Sequence, residues 1–329
     1  MDPIALPSNQ PADRFYLGGH RISEFRGEVD SGPRTPEDWV ASTTTVRGTD
    51  VGLTRLPDGS LLRDAIAGAP VEWLGADHVR AFGADTKLLV KLLDPGQRLP
   101  VHAHPGVAFA SAHLGTTHGK AEAWYILAAG EVYLGLTRDV PFDELAALVE
   151  AQDIERMLGL MHRVEVAPGD TVYVPPGVLH AIGEGVLLAE VQEPEDLSIL
   201  LEWRDFELDG LRDGHLGIGF DTALQAVEIR GRSADEVAGL IVRGAGNGSA
   251  LVPAADEFFR LERVVVDGSR ELEAGFAVLL VLGGELRLGT LALTRGSTVL
   301  VPHAAGPLLV QGTGELLAAR PPAAPPGLA

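Results

Sequence analysis

Short apolar runs broken by glycine and proline dominate the middle of the chain. Leu88–Leu93, Trp124–Leu127, Glu131–Leu136, Arg163–Val166 and Thr171–Val174 are each four to six residues long. Turns such as Ala167-Pro168-Gly169-Asp170 and Pro175-Pro176-Gly177 separate them. That spacing predicts the strands of a sandwich or barrel. One stretch breaks it: Phe142, Leu145, Leu148 and Val149 recur at helical spacing, so a helical insertion is expected over about 141–161. Residues 1–85 read as a lead-in with a helix near Leu61–Ile66, and 86–204 as the first β unit. A connecting segment, 205–250, carries a capping box at Ser233 and Glu236 that predicts a helix from Ser233 to Val242. From Leu251 a second strand-rich unit begins and is expected to run through 251–320. Its runs Phe276–Leu282, Gly283–Leu288 and Ser297–His303 loosely repeat the order of residues 123–180, with a glycine turn expected at Gly283 and Gly284. The proline-rich tail, 321–329, is expected to be disordered.

Composition narrows the chemistry. The formal charge is −20 over 329 residues, which argues against nucleic acid, since phosphate backbones need dense basic surface. There is no cysteine, so no disulfide or thiolate ligand is available, and any metal must be held by histidine and carboxylate. No stretch reaches membrane-spanning length without charge and the first residues lack a leader pattern, so a soluble, cytoplasmic and unprocessed protein is expected. Only three lysines occur, Lys87, Lys91 and Lys120, all leading into one motif-rich segment.

That segment contains Leu99-Pro100-Val101-His102-Ala103-His104-Pro105. Side chains two apart on a strand share a face, so His102 and His104 point the same way. Glu122 follows in Gly119-Lys120-Ala121-Glu122, and His180 follows the Pro175-Pro176-Gly177 turn. Three imidazoles and a carboxylate form a set for one divalent transition metal with positions left open for substrate. Lys120, offset by two from Glu122, shares its face. Glu190 and Gln192 alternate with Val191 and are expected to point into the same barrel. His303 is read as a turn residue, which leaves the second unit without a metal.

Several of these runs resemble the type I mannose-6-phosphate isomerases, zinc proteins of the cupin jelly-roll class. Gly119-Lys120-Ala121-Glu122-Ala123-Trp124-Tyr125-Ile126-Leu127 is similar to that family's Gly-Lys-Thr-Glu-Met-Trp-Tyr-Ile-Leu run. Pro175–Ala181 and Leu99–Pro105 resemble two more of its motifs, and the likeness runs from about Leu61 to Asp196 with an echo at Glu37–Ser42. The resemblance implies a mainly β, double cupin-type fold, the second cupin unit degenerate, and makes His104, Glu122 and His180 metal ligands beside Lys120. Two positions depart from the pattern. The family's first ligand is Gln where this chain has His102, which leaves zinc as the first expectation and iron, manganese or nickel as alternatives. The family also places an active-site Arg where this chain has Leu200.

The expected activity is aldose–ketose isomerisation of mannose 6-phosphate through an enediol, with Lys120 and Asp196 handling protons and Lys91 and Arg204 binding substrate. Three alternatives remain open at this point: isomerisation of an unphosphorylated sugar, a cupin oxygenase, or a non-catalytic metal-containing sugar-binding protein. The partner is a small sugar or sugar phosphate, with neither nucleic acid nor membrane, and the oligomeric state is not readable.

Overall fold

The computed structural model describes residues 1–325. Its strands are β1 Ile4–Leu6, β2 Glu37–Val40, β3 Leu89–Leu93, β4 His102–Ala103, β5 Glu122–Ile126 and β6 Gly130–Leu136. They continue with β7 Met161–Val166, β8 Thr171–Val174, β9 His180–Ile182, β10 Leu188–Gln192, β11 Ile199–Leu200 and β12 Ile241–Val242. The last are β13 Gly248–Ser249, β14 Arg260–Leu272, β15 Ala277–Leu288, β16 Leu291–Thr294, β17 Thr298–Val301 and β18 Leu308–Arg320.

Two sheets build the unit that holds the histidines: β12-β8-β5-β10-β3-β2 and β11-β4-β9-β6-β7. Antiparallel register sets side chains from neighbouring strands in rows on one face. In the first sheet Trp39 pairs with Lys91, Lys91 with Glu190, and Glu190 with Trp124. In the second, Leu200 pairs with His102 and His102 with His180. A large apolar core including Trp124, Ile126, Leu134 and Ile182 fills this unit and continues into Phe259, Leu261 and Leu280 of the next. The long strands β14, β15 and β18, with β1, β13, β16 and β17, form the third sheet around a separate core that includes Leu279, Val299 and Leu316.

Helices Phe142–Ala151 and Ile154–Gly159 fall within the expected insertion and bury Leu145, Leu148, Val149 and Met157 against the outer face of the second sheet. Residues 62–68, 70–74 and 76–82 are helical as well. The capping box at Ser233 forms, but its helix stops at Ala238 because Ile241 and Val242 turn to pair with β8. Gly283 and Gly284 do not make a turn. β15 runs straight through them with a register shift against β18, and Cβ atoms at Gly284 and Gly314 would collide with the facing backbone. The tail is anchored at its start: Pro321 and Pro322 are buried, and Arg260 Nε donates to the Pro321 carbonyl at 3.0 Å. The expected disorder of 321–329 therefore does not begin at 321, and 326–329 lie outside the described residues.

Candidate metal centre and substrate cavity

β4 is only two residues long, so His104 leaves the strand, yet it turns inward with His102. Two glycines make this possible. Gly177 has φ +86° in the turn before His180, and its N–H donates to the His104 carbonyl at 2.7 Å, tying two histidine segments together. Gly119 packs so closely on Pro105 and Gly106 that a Cβ would lie 2.8 Å from the Pro105 carbonyl oxygen. That approach lets Lys120 N–H donate to the same oxygen at 3.0 Å.

All three imidazoles bond a backbone carbonyl through Nδ1: His102 to Pro100 at 2.8 Å, His104 to Leu197 at 2.6 Å, and His180 to Val178 at 2.9 Å. A carbonyl only accepts, so each Nδ1 carries the hydrogen and each Nε2 presents a lone pair. The three ligand atoms lie within 4.8 Å of one another, and all three residues are buried. Burial first, and then neighbouring positive charge, holds His102 well below the usual imidazole range and His104 down at about 3. His102 and His104 are thereby neutral, as metal ligands must be.

Glu122 completes the cluster. Its Oε2 is 3.0 Å from His104 Nε2 and its Oε1 is 3.3 Å from His180 Nε2, while Trp124 Nε1 donates to Oε1 at 3.0 Å. Burial works against its charge, but Lys120 and the hydrogen bonds outweigh it and the carboxyl stays well below its ordinary value. His180 Nε2 is buried with no hydrogen-bond partner. A buried lone pair facing two others and a carboxylate fits a divalent cation, and no hydrogen bond among the described residues satisfies it. Lys120 Nζ lies 2.9 Å from both His104 Nε2 and Glu122 Oε2, so an ammonium stands where the donor set attracts positive charge.

A cavity opens from this cluster, lined by Arg14, Glu37, Lys91, His102, Lys120, Glu122, Glu190, Asp196 and Leu200 among others. The space open to water within it is about 50 Å³. Charges alternate along it. Lys120 is 3.9 Å from Glu190, Glu190 is 3.7 Å from Lys91, and Lys91 is 3.9 Å from Glu37. Burial opposes the Lys120 charge, yet Glu122 and Glu190 raise it above the ordinary lysine value. Burial and then the Glu122 charge push Glu190 up to about 8.

The structure brings His102, His104, Glu122, His180, Lys120, Lys91 and Asp196 together around this space. Asp196 accepts from Arg47 N–H at 3.0 Å and lies 4.0 Å from Arg14 Nη2. Arg204, expected in the substrate set, is not brought to this space: it is exposed, donates to the Ala151 carbonyl and does not line the cavity. Arg14 and Tyr16 were missed. They come from an irregular segment with no periodic pattern, and only the Glu37–Ser42 echo pointed to that end of the chain.

The fold and site define a mainly β protein with a buried cluster of three histidines and one glutamate able to hold a metal. The proteins it is similar to over nearly its whole length are mannose-6-phosphate isomerases. A probable mannose-6-phosphate isomerase of Bacillus subtilis is 28% identical, covering 92% of this chain and 95% of the relative. The mannose-6-phosphate isomerase of Streptococcus mutans is 26% identical, covering 96% of this chain and 98% of the relative. The mannose 6-phosphate isomerase structure from Bacillus subtilis superimposes with a TM-score of 0.74 at 22% identity, covering 97% of this chain and 100% of that one. A mannose 6-phosphate isomerase structure bound with zinc and yttrium gives 0.73 at 16% identity, covering 98% of this chain and 100% of that one. No family model matches the chain. No helix among the described residues is long and apolar enough to cross a membrane.

Proposed function

We propose that this chain is a metal-dependent aldose–ketose isomerase that interconverts mannose 6-phosphate and fructose 6-phosphate through an enediol. One observation carries the reading: three buried imidazoles turn their Nε2 atoms to a common point beside Glu122, with Lys120 and Glu190 at the edge of the same cavity. The mannose-6-phosphate isomerase relatives support this chemistry over that of an oxygenase.

His102, His104, Glu122 and His180 are the proposed ligands of one divalent ion, with zinc first because the donors are nitrogen and carboxylate oxygen. When bound, the ion supplies a Lewis acid for the oxygens on the first two sugar carbons. The Nδ1 bonds to Pro100, Leu197 and Val178 carbonyls fix the rings so that their lone pairs need no reorganisation. Lys120 holds a proton at Nζ and donates it to a sugar oxygen, stabilising the developing enediolate. Glu190, 3.9 Å from Lys120 and pushed up to about 8, is a stronger base than an ordinary carboxylate; in its ionised form it takes the proton from one carbon and, as the resulting acid, returns it to the next, while Lys120 stays protonated. Asp196, expected to move protons, is held ionised: burial opposes its charge, but Arg14 and Lys91 lower it below the ordinary aspartate value. Its proposed role is to anchor substrate hydroxyls. The cysteine-free composition suits a reducing compartment, and we place the enzyme in the cytoplasm.

A second reading, isomerisation of an unphosphorylated sugar, is favoured by Leu200, which puts an apolar side chain beside His102 in the cavity. Protein of measured metal content, incubated with phosphorylated and free aldoses and followed by NMR, tests both. Conversion of mannose 6-phosphate establishes the first reading, conversion of free sugar alone the second, and no conversion of any aldose removes both.

A further inference from the structure

The cavity contains a guanidinium that the proposed chemistry does not use. Arg14 lines it together with Lys91, Lys120, His102 and Leu200. Its side chain is only 10% exposed, with Nη2 3.1 Å from Glu37 Oε1 and 4.0 Å from Asp196 Oδ2. Nε is buried and finds no hydrogen-bond partner. A guanidinium donor left unpaired in a buried site is costly unless an acceptor arrives from elsewhere.

The surrounding contacts fix this segment of the chain. Arg14 N–H donates to the Arg34 carbonyl at 3.2 Å, and the Phe15 carbonyl accepts from Glu207 N–H at 3.0 Å. Tyr16 Oη donates to the same Glu37 oxygen that Arg14 meets. Glu37 and Asp196 therefore engage one guanidinium nitrogen, and the Nε side is free. Arg14 is also the last cation in the row Lys120, Glu190, Lys91, Glu37, Arg14 that leads away from the histidines. Leu200, directly paired with His102, offers the cavity no polar atom.

We propose that Arg14 is the specificity-determining residue of the cavity and that its free edge binds an anionic oxygen of the substrate's phosphate. With the first two sugar carbons at the histidine–glutamate cluster, the far end of an extended sugar phosphate meets the last cation of the row. A guanidinium suits this because it presents parallel N–H donors to a phosphate. The assignment rests on the isomerase reading only for the identity of the sugar.

Calorimetric titration of the metal-loaded protein with mannose 6-phosphate and with mannose tests it. Wild-type protein binds the phosphorylated sugar more tightly. Arg14→Gln loses roughly ten- to hundred-fold in affinity for mannose 6-phosphate and less than about two-fold for mannose, with metal content unchanged. Arg14→Lys keeps the charge facing Glu37 and Asp196, so it reports on the lost fork even if the Gln variant folds poorly, and it too narrows the preference for the phosphorylated sugar. Equal losses for both sugars, an unchanged preference in the Lys variant, or wild-type protein that binds the two alike overturn the proposal. Because the readout is binding, a wild-type protein that prefers mannose 6-phosphate but does not isomerise it sinks the isomerase reading and leaves Arg14 decided by its variants.

Discussion

Lys120 Nζ lies 2.9 Å from Nε2 of His104, so the cavity's central lysine touches an imidazole of the candidate metal cluster. One ammonium thereby meets the donor set on one side and Glu190 on the other. It is placed to act on a sugar held between them.

Replacing Lys120 by alanine is expected to lower kcat by about 10²–10⁴-fold, the usual size of a lost general acid–base group. Metal content should stay near one ion per chain, because the four proposed ligands remain. Steady-state kinetics on protein analysed for metal checks both. A Lys120→Ala enzyme with wild-type turnover removes the residue from the chemistry. Parallel loss of metal would make its role structural.

His180→Ala should abolish stoichiometric metal and, with it, turnover. His180 sits opposite His102 across β4 and β9 and faces the cluster with an otherwise unpartnered Nε2. Elemental analysis after dialysis reads the first effect. Zinc, manganese, iron and nickel added separately to chelator-stripped wild-type protein identify which ion restores activity. Retention of one tight metal ion by His180→Ala would exclude this histidine from the ligand set.

Much of this centre was legible in the sequence because its signals are local. His102 and His104 are two residues apart, Lys120 and Glu122 likewise, and a proline–glycine turn announces His180. The five short strands from Leu88 to Val174 were legible for the same reason, since each apolar run is bounded by its own turn residues. The positions not legible are set by distant contacts. Arg14 reaches the cavity because Arg34, Glu37 and Glu207 hold its segment, and no spacing encodes that. Gly283 and Gly284 look like a hairpin turn, but they lie inside a strand because the facing backbone of Thr313 and Gly314 leaves no room for side chains. Arg204 is exposed and lies away from the cavity, in the segment that follows the end of β11 at Leu200.

Acid should destabilise the metal-stripped protein well before ordinary carboxylates titrate. The unfolded chain protonates histidine near pH 6.5, whereas folded His104 holds out to about 3 and His102 is likewise depressed, first by burial. A depressed pKa gives stability that is complete above the unfolded value and is lost as pH falls toward the folded one. Below 6.5 the unfolded state binds more protons, and each such histidine costs about 1.4 kcal/mol per pH unit. Glu37 adds to this lower down: burial opposes its charge, but Arg14 and Lys91 bring it to about 2 from 4.5, so its contribution fades between those values. Glu190, raised to about 8, keeps its proton in the folded state and offsets about one histidine's share of this slope between 8 and 4.5, so urea midpoints should fall from pH 6.5 to 4 by the remainder. A flat profile between 6.5 and 5 would contradict the buried neutral imidazoles.

Glu202 should prove to be the residue that holds the His102 strand in place. Its carboxylate accepts from Arg98 at 2.8 Å and 2.5 Å and from Val101 N–H at 2.8 Å, one residue before the first histidine. Leu201 N–H donates to the Val101 carbonyl at 2.8 Å, so both polar groups of Val101 depend on this corner. The Glu202 side chain is 2% exposed and that of Arg98 25%, so removing the carboxylate strands a buried N–H but leaves the guanidinium partly in water. The expected cost of Glu202→Ala is therefore about 2–3 kcal/mol, below that of breaking a wholly buried pair. Metal affinity should fall by about tenfold, as is usual when a group orienting a ligand is lost. Glu202→Gln keeps an acceptor for Val101 and should recover most of the affinity but not the Arg98 pairing. Denaturant unfolding combined with competitive metal titration reads the two effects separately. If Glu202→Ala loses stability with no change in metal affinity, the corner supports the fold without positioning His102.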